Sequence, residues 1–290
     1  MASTQALKGR IRSVKSTKQI TKAVQLVAAS KMRRAQESTK ASAPYTEAAR
    51  QLLTALSKNV SVQEHPLFKK REIKTRLLIV IASDKGLAGA YNSNVIKLYT
   101  KQLQDDDKKG IKNTTITIGR KASRFVARIK DTEVLGSYDD LPDHPGGHEL
   151  KAVLNSAKEL FESGRVDAVD MLYTNFLSSA QQHATMVRVL PAGFTPLQDP
   201  ALQASDVVYE PGVEEVLNGV AYRLVGAQIF QAFLDSKASE HSMRMMAMKN
   251  ATDNASDLVD DLTLAMNKAR QSAITQELAE ISGGVQALSD

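Results

Sequence analysis

Apolar residues at the two ends of the chain recur at helical spacing over stretches that contain no proline. The last proline is Pro211, and a helix over residues 212–290 would be about 120 Å long at 1.5 Å per residue. A compact globule of this chain length is only about 50 Å across. The first 43 residues are also free of proline. We therefore predict that the chain begins and ends in long helices, which extend beyond a compact middle.

Each end carries a narrow apolar stripe whose members are mostly three or four residues apart. The amino-terminal stripe consists of Leu7, Ile11, Val14, Ile20, Val24 and Val27, continued by Met32 and Ala35. The carboxyl-terminal stripe consists of Ala251, Ala255, Leu258, Leu262, Met266 and Ala269, followed by Ile274, Leu278, Ile281, Val285 and Leu288. Narrow stripes are typical of coiled-coil seams. They predict that the two helices pair antiparallel, with an ordinary helical-bundle core as the alternative.

The middle of the chain changes from helical to strand periodicity. Residues 77–81 (LLIVI) form a short apolar run, which is typical of a strand buried on both faces. Further strands are predicted at 114–118, 169–173 and 183–190, the last of them antiparallel at an edge. Helices are predicted after the first strand through Leu103, and at 120–129 and 150–161. This alternation indicates an open, mainly parallel α/β sheet, and we divide the chain into domains at 1–59, 60–208 and 209–290.

The first predicted helix is strongly basic. Between residues 1 and 36 there are nine Lys and Arg residues and no acidic residue. Four interpretations remain open on charge alone: an organelle transit peptide, a nucleic-acid-binding stripe, a helix that docks on an acidic protein surface, or a solvated face. The chain has no cysteine, which excludes a disulfide framework and a thiolate nucleophile. No apolar run approaches the roughly 18 residues of a membrane-spanning helix.

The turn after the first predicted strand is a weak candidate for nucleotide binding. Gly86 and Gly89 lie three residues apart in DKGLAGAYN, but the segment matches neither G-x-G-x-x-G nor the lysine-terminated phosphate loop. A tight strand-to-helix turn that needs small residues explains the glycines better. The acidic and histidine-containing segment 139–149 lacks a helical pair of metal ligands, so we interpret it as a polar surface loop. We predict no catalytic residue, metal or cofactor.

Three segments of the chain resemble one known family. Residues 11–36 (IRSVKSTKQITKAVQLVAASKMRRAQ) and 248–288 closely resemble the two ends of the gamma subunits of F-type ATP synthases. Within the second segment, residues 274–288 match the highly specific pattern ITxELxEIxxGxxAL. Residues 83–94 (SDKGLAGAYNSN) resemble the turn of the family's central domain. The resemblance covers essentially the whole chain.

This resemblance implies a noncatalytic rotor subunit. Family members form a central stalk, an antiparallel coiled coil inserted into a hexamer of alpha and beta subunits, with a Rossmann-like domain near its base. The base is expected to contact the epsilon subunit and the membrane ring of c subunits. Torque would then pass between proton flow and the catalytic sites of the hexamer. A dinucleotide-dependent enzyme and a nucleic-acid-binding scaffold are the alternatives from other classes.

The resemblance also assigns partner-binding residues. Arg270 and Gln271, in the matching NKARQ segment, are expected to hydrogen-bond a loop of a beta subunit, because Arg suits bidentate contact with carboxylates. Thr275 and Glu277 are further candidates. Electrostatic contacts with acidic beta loops are expected from Lys22, Arg33 and Arg34. A nonpolar bearing at the tip is expected from Ile281, Val285 and Leu288.

Two positions depart from the family pattern. Val24 stands where the family often has methionine, and Ala88 stands where its turn often has cysteine. The basic helix aligns with the mature shaft and not with a preceding leader, so no transit peptide is expected. The expected location is therefore peripheral, on the cytoplasmic face of a bacterial plasma membrane, with a processed organelle copy as the alternative.

Overall fold

The computed structural model describes residues 4–57, 65–130, 132–143, 145, 148–193 and 213–289. The five helices in this part of the chain are α1 (Thr4–Ser57), α2 (Tyr91–Asp107), α3 (Arg120–Val126), α4 (Lys151–Glu162) and α5 (Val213–Ser289). The five strands are β1 (Thr75–Ile81), β2 (Lys112–Ile118), β3 (Glu133–Tyr138), β4 (Ala168–Phe176) and β5 (Gln182–Leu190). The strands alternate with helices, as the sequence predicts.

The five strands form one mixed sheet in the order β3-β2-β1-β4-β5. Strands β1, β2, β3 and β4 are parallel to one another, and β5 pairs antiparallel with β4 at one edge. In the centre of the sheet, Ile79 of β1 pairs with Ile116 of β2 and Met171 of β4. The prediction of an open, mainly parallel sheet with an antiparallel edge strand is therefore confirmed. Strand β3, at the opposite edge, was not predicted.

The apolar run of β1 is buried on both faces of the sheet. Leu77, Ile79 and Ile81 pack in the larger core, where the sheet meets apolar residues of α1, α4 and α5. Leu78 and Val80 point to the other face and pack against α2 and α3. Side chains alternate between faces along a strand, so a run that is apolar at every position requires cover on both sides. The helices on the two faces provide it.

The two long helices continue through glycine and proline residues, which often interrupt helices. Helix α5 has 77 residues and runs through Gly219 and Gly226. Helix α1 has 54 residues and includes Pro44, beyond the proline-free segment. Pro44 lacks the N–H that would bond to the carbonyl four residues earlier. In the described chain, neither helix is long and apolar enough to cross a membrane.

The chain divides into two compact units. One, the sheet unit, is Ala29–Arg244, and the other, the helix-pair unit, combines Met1–Ala28 with Met245–Asp290. Each unit therefore contains parts of both α1 and α5. The domain boundaries predicted from the sequence, after residues 59 and 208, lie outside the described residues and stay predictions.

Candidate functional site

The helix-pair unit has a small apolar seam between α1 and α5. Leu7 and Ile11 of α1 are buried against Leu262 of α5. Partly buried residues that pack against this cluster are Val14, Val259, Met266 and Ala269. The predicted pairing of the two apolar stripes is thus found in this part of the unit.

Beyond this cluster, hydrogen bonds between polar side chains also join the two helices. The Lys18 ammonium donates a hydrogen bond to Ser256 Oγ over 2.9 Å, and the hydroxyl oxygens of Thr21 and Thr252 are 2.8 Å apart. Residue numbers rise along α1 as they fall along α5, so the helices are antiparallel. Ala28, in the same unit, is also buried. Polar groups in a seam specify the register of paired helices more narrowly than apolar groups do.

Six residues of the two predicted stripes are on the surface, so the prediction that they lie in the seam was wrong; three of them, at 274, 278 and 281, are described below. Ile20, Val27 and Leu258 are 62%, 57% and 43% exposed. The predicted stripe stepped six residues from Val14 to Ile20, which turns a helix position by about 120° away from the seam at 3.6 residues per turn. Steps of four and three from Val14 lead instead to Lys18 and then to Thr21. Both residues are polar, so an apolar stripe does not include them.

Helix α1 has an exposed apolar surface. Ile20 and Val27 are one heptad apart and therefore lie on the same side of the helix. Neighbouring Leu26 is also mostly exposed. Exposed apolar side chains close together mark a candidate surface for a partner protein. The angular positions of the residues around the helix could have predicted this surface. Ile20 and Val27 are apolar but lie on a different side of the helix from Leu7 and Ile11.

The carboxyl-terminal part of α5 is exposed at every position from 270 to 282. The predicted beta-binding residues Arg270, Gln271, Thr275 and Glu277 all lie here. Thr275 Oγ1 donates a hydrogen bond to the Gln271 carbonyl over 2.9 Å, which keeps its hydroxyl within the helix. The side chains therefore project from one isolated helix, as contacts to another molecule require.

The same segment carries an apolar stripe. Ile274, Leu278 and Ile281 recur at spacings of four and three and are all exposed, Ile281 at 61%. Three large apolar residues on one face are unusual on a helix without a partner. The side chains of Val285 and Leu288, predicted to complete the bearing, lie outside the described residues.

The predicted electrostatic contacts fall in both units. Lys22 is exposed on the helix-pair unit, next to Thr21, and so lies several turns from Arg270. Arg33 and Arg34 are exposed on the sheet unit. Each of these cations is accessible for contact with an acidic surface. Within the helix-pair unit, Lys22 does not form one cluster with Arg270.

The glycine turn after β1 is closed by the protein's own charged groups. Asp84 Oδ1 accepts hydrogen bonds from the backbone N–H groups of Arg120 and Asp140, over 3.1 and 3.0 Å. The Arg244 guanidinium donates to the carbonyl oxygens of Lys85 and Gly86, both over 3.2 Å. In doubly wound sheets, ligands bind at this carboxyl edge. Here a carboxylate occupies the amino end of α3 and would repel a phosphate, so the structure does not favour the dinucleotide-dependent enzyme.

The loop that contains Asp143 was interpreted as a polar surface loop. Asp143 is instead partly buried, and its contact with His241, 3.2 Å from Nε2 to Oδ1, is the main reason why its pKa lies well below the usual range for a carboxyl group. Among the described residues, no group of three or more histidine and acidic side chains is arranged to hold a metal ion.

Comparisons with known proteins agree over almost the whole chain. The family model described as ATP synthase matches residues 3–288. The ATP synthase gamma chain of Ralstonia nicotianae is 38% identical over 292 residues, covering 99% of this chain and 100% of the relative. That of Macrococcus caseolyticus is 40% identical over 289 residues, again covering 99% and 100%.

Solved structures give the same result for the fold. The chain is similar to one in the cryo-EM structure of the Euglena gracilis mitochondrial ATP synthase, OSCP/F1/c-ring (TM-score 0.71, 18% identity, 98% of this chain and 94% of the other). It also matches a chain from the central stalk/c-ring structure of the Tetrahymena thermophila mitochondrial ATP synthase (TM-score 0.57, 25% identity, 80% and 99%). Paired long helices with a small sheet domain are thus shared with these assemblies.

Proposed function

Because this chain belongs to the ATP synthase family, and its relatives over nearly the full length are gamma chains, we propose that it is the gamma subunit of the central stalk. In this role it is a rotor that transmits torque between a proton-driven c-ring and a catalytic hexamer of alpha and beta subunits. The observation that carries the proposal is the antiparallel helix pair, in which α5 continues beyond the seam with every residue from 270 to 282 exposed.

The two helices of this pair differ in charge, which suits a rotor. In the described chain, α1 carries no acidic residue before Glu37, whereas α5 exposes four aspartates along the pair. These aspartates are Asp253, Asp257, Asp260 and Asp261. A subunit without ligand can alter its neighbours' affinities only if it contacts their conformations differently. A rod with one basic and one acidic side presents a different charge to each beta subunit as it turns.

The catalytic sites belong to the hexamer in this proposal, and the gamma subunit itself is noncatalytic. Arg270 and Gln271 hydrogen-bond a beta loop, and Thr275 and Glu277 extend that contact. Charge contacts with acidic beta loops come from Lys22, Arg33 and Arg34. The apolar bearing consists of Ile281, Val285 and Leu288. Exposure of the described members of these groups supports the assignment.

The sheet unit contacts the epsilon subunit and the c-ring in this proposal. The subunit is held at the membrane through the assembled complex, peripherally on the cytoplasmic face of a bacterial plasma membrane. The closed turn at Gly86 supports a role for the sheet as a scaffold that holds no nucleotide.

Reconstitution tests the proposal. The purified chain is mixed with alpha and beta subunits from the same source, and complex formation is measured together with ATP hydrolysis. We expect one copy per hexamer and hydrolysis that depends on its presence. Saturable nucleotide binding by the isolated chain, without association, would favour an enzyme, and salt-dependent binding to DNA or RNA would favour a nucleic-acid scaffold.

A matched pair of variants tests the contact residues. Arg270→Gln is expected to weaken binding to the hexamer by about tenfold, because it removes the charged hydrogen-bonding group that we propose contacts a beta loop. Lys268→Gln makes the same change of charge two residues away on an exposed position. Equal affinities for the two variants would remove Arg270 from the interface.

A further inference from the structure

One carboxylate in the sheet unit contacts cations from both long helices. Asp143 Oδ2 lies 2.7 Å from the Lys31 ammonium nitrogen on α1. Its Oδ1 lies 3.5 Å from Lys237 Nζ and 3.2 Å from His241 Nε2, both on α5. Asp143 follows β3 in the chain and belongs to neither helix. It therefore bridges α1 to α5 through a third element.

The α5 partners of this carboxylate are buried. The side chains of Lys237 and His241 are only 9% and 4% exposed. Lys237 Nζ also lies 3.7 Å from Glu240 Oε2 and 4.0 Å from Asp84 Oδ2. Three carboxylates therefore surround the Lys237 ammonium group. Loss of one of them leaves this buried positive charge with fewer partners. The strongly lowered pKa of Asp143 is consistent with an ionised carboxylate in this position.

We infer that Asp143 is a positioning residue for torque transmission, because its carboxylate prevents α1 and α5 from sliding past each other within the sheet unit. The inference rests on the proposed function. A rotor passes on work only if its two helices move together, and helix pairs otherwise yield by small shear displacements. The Lys31 contact holds one helix and the Lys237 and His241 contacts hold the other. This one side chain therefore opposes that displacement, in addition to the apolar core that the two helices share.

The test uses the complete ATP synthase reassembled in vesicles, with ATP hydrolysis and ATP-driven proton pumping measured in the same sample. Asp143→Asn removes the charge and keeps the shape. We expect it to lower the ratio of pumping to hydrolysis by at least about twofold, since Lys31 and the buried Lys237 lose the carboxylate that they share. Asp107→Asn, the same change at an exposed position of the sheet unit, is expected to leave the ratio at the wild-type value. An unchanged ratio in assembled Asp143→Asn complex would overturn the inference.

A second variant decides the matter if Asp143→Asn does not assemble. Lys31 is about half exposed, so Lys31→Gln removes the α1 contact at little risk to folding. We expect a smaller fall in the same ratio. Where Asp143→Asn does assemble, the double variant should show no further fall than Asp143→Asn alone, because the effects of residues that share one interaction are not additive. A wild-type ratio for Lys31→Gln, or strictly additive effects, would contradict the bridge. Failure of the wild-type chain to support pumping would instead reject the proposed function.

Discussion

Asp235 is an acidic residue buried on α5 in the sheet unit, where it makes stability depend on pH. Burial raises its pKa to about 7 from an ordinary 3.8, opposed only by a hydrogen bond from the Gln231 amide. The folded state therefore holds a proton that the unfolded chain releases. Stability from this group is full below about pH 4 and falls as pH rises to about 7, by up to about 4 kcal/mol.

Asp235→Asn is expected to remove that dependence. The free energy of unfolding should rise by about 2 kcal/mol or more at pH 8 and stay unchanged at pH 4, because the amide is neutral at both. Denaturant unfolding of the isolated chain at the two pH values measures this. Asp253→Asn on the exposed side of α5 is the control and should have little effect at either pH. A gain of equal size at pH 4 would show that the carboxylate is not the cause.

Gly119 is a residue whose identity the backbone requires. Its φ is 94°, and a Cβ placed there would lie only 2.8 Å from the carbonyl carbon of Ala82. Gly119→Ala is expected to destabilise the chain by about 3 kcal/mol or more, since strain and backbone overlap add. Gly110→Ala shares the positive φ of 69° but meets no atom within 4 Å, so about 1 kcal/mol of strain remains. Thermal unfolding of the two variants separates overlap from strain.

At the scale of elements, the sequence was most informative where the apolar pattern was continuous. The LLIVI run predicts β1 because only a strand covered on both faces needs every position apolar. Strand β3 gives no such signal, since it lies at a sheet edge, is largely accessible and contains Gly136. The prediction of the seam was partly wrong for a related reason. Lys18 and Thr21 occupy it through hydrogen bonds to α5, and hydrophobicity alone cannot detect a polar contact.

Leu262 and Leu258 provide a direct test of the seam, because they lie one turn apart on α5 and differ in burial. Leu262 packs against Leu7 and Ile11, whereas Leu258 is exposed. Leu262→Ala is expected to lower the free energy of unfolding by about 2 kcal/mol or more. Leu258→Ala is expected to change it by no more than about 0.5 kcal/mol. Helix unfolding followed by circular dichroism gives both values. Equal decreases in the free energy of unfolding would mean that Leu258 also packs in the seam, as the apolar stripe predicted.

At the scale of the whole molecule, the division of labour between the two units could be expected from the sequence only through the family resemblance. Periodicity indicates long helices and a sheet, but charge left four interpretations of the basic helix open. The match of residues 274–288 to a specific pattern selects one of them. The structure adds what neither approach contains, namely that the carboxyl-terminal part of α5 is exposed on all sides in this chain.

Because the apolar residues of this segment are exposed, we expect them to contribute to binding of the hexamer and not to the stability of the isolated chain. Replacing Ile274, Leu278 and Ile281 together by serine should leave the melting temperature of the isolated chain within about 2 °C of wild type, because substitutions at exposed sites contribute little to stability. Binding to the alpha/beta hexamer should weaken by at least about tenfold, since each buried aliphatic side chain is worth about 1.5–3 kcal/mol.

The control for this variant changes the opposite side of the same helix segment: Ser272→Ala, Gln276→Ser and Ala279→Ser. It should bind the hexamer as the wild type does, because a bearing contact on one apolar stripe does not involve these positions. Melting curves and hexamer binding for both triple variants complete the comparison. A melting temperature that falls only in the apolar variant would mean that the stripe packs within the chain. Equal binding by both variants would mean that the hexamer holds the rotor elsewhere, and the apolar surface of Ile20 and Val27 on α1 would then be the next candidate.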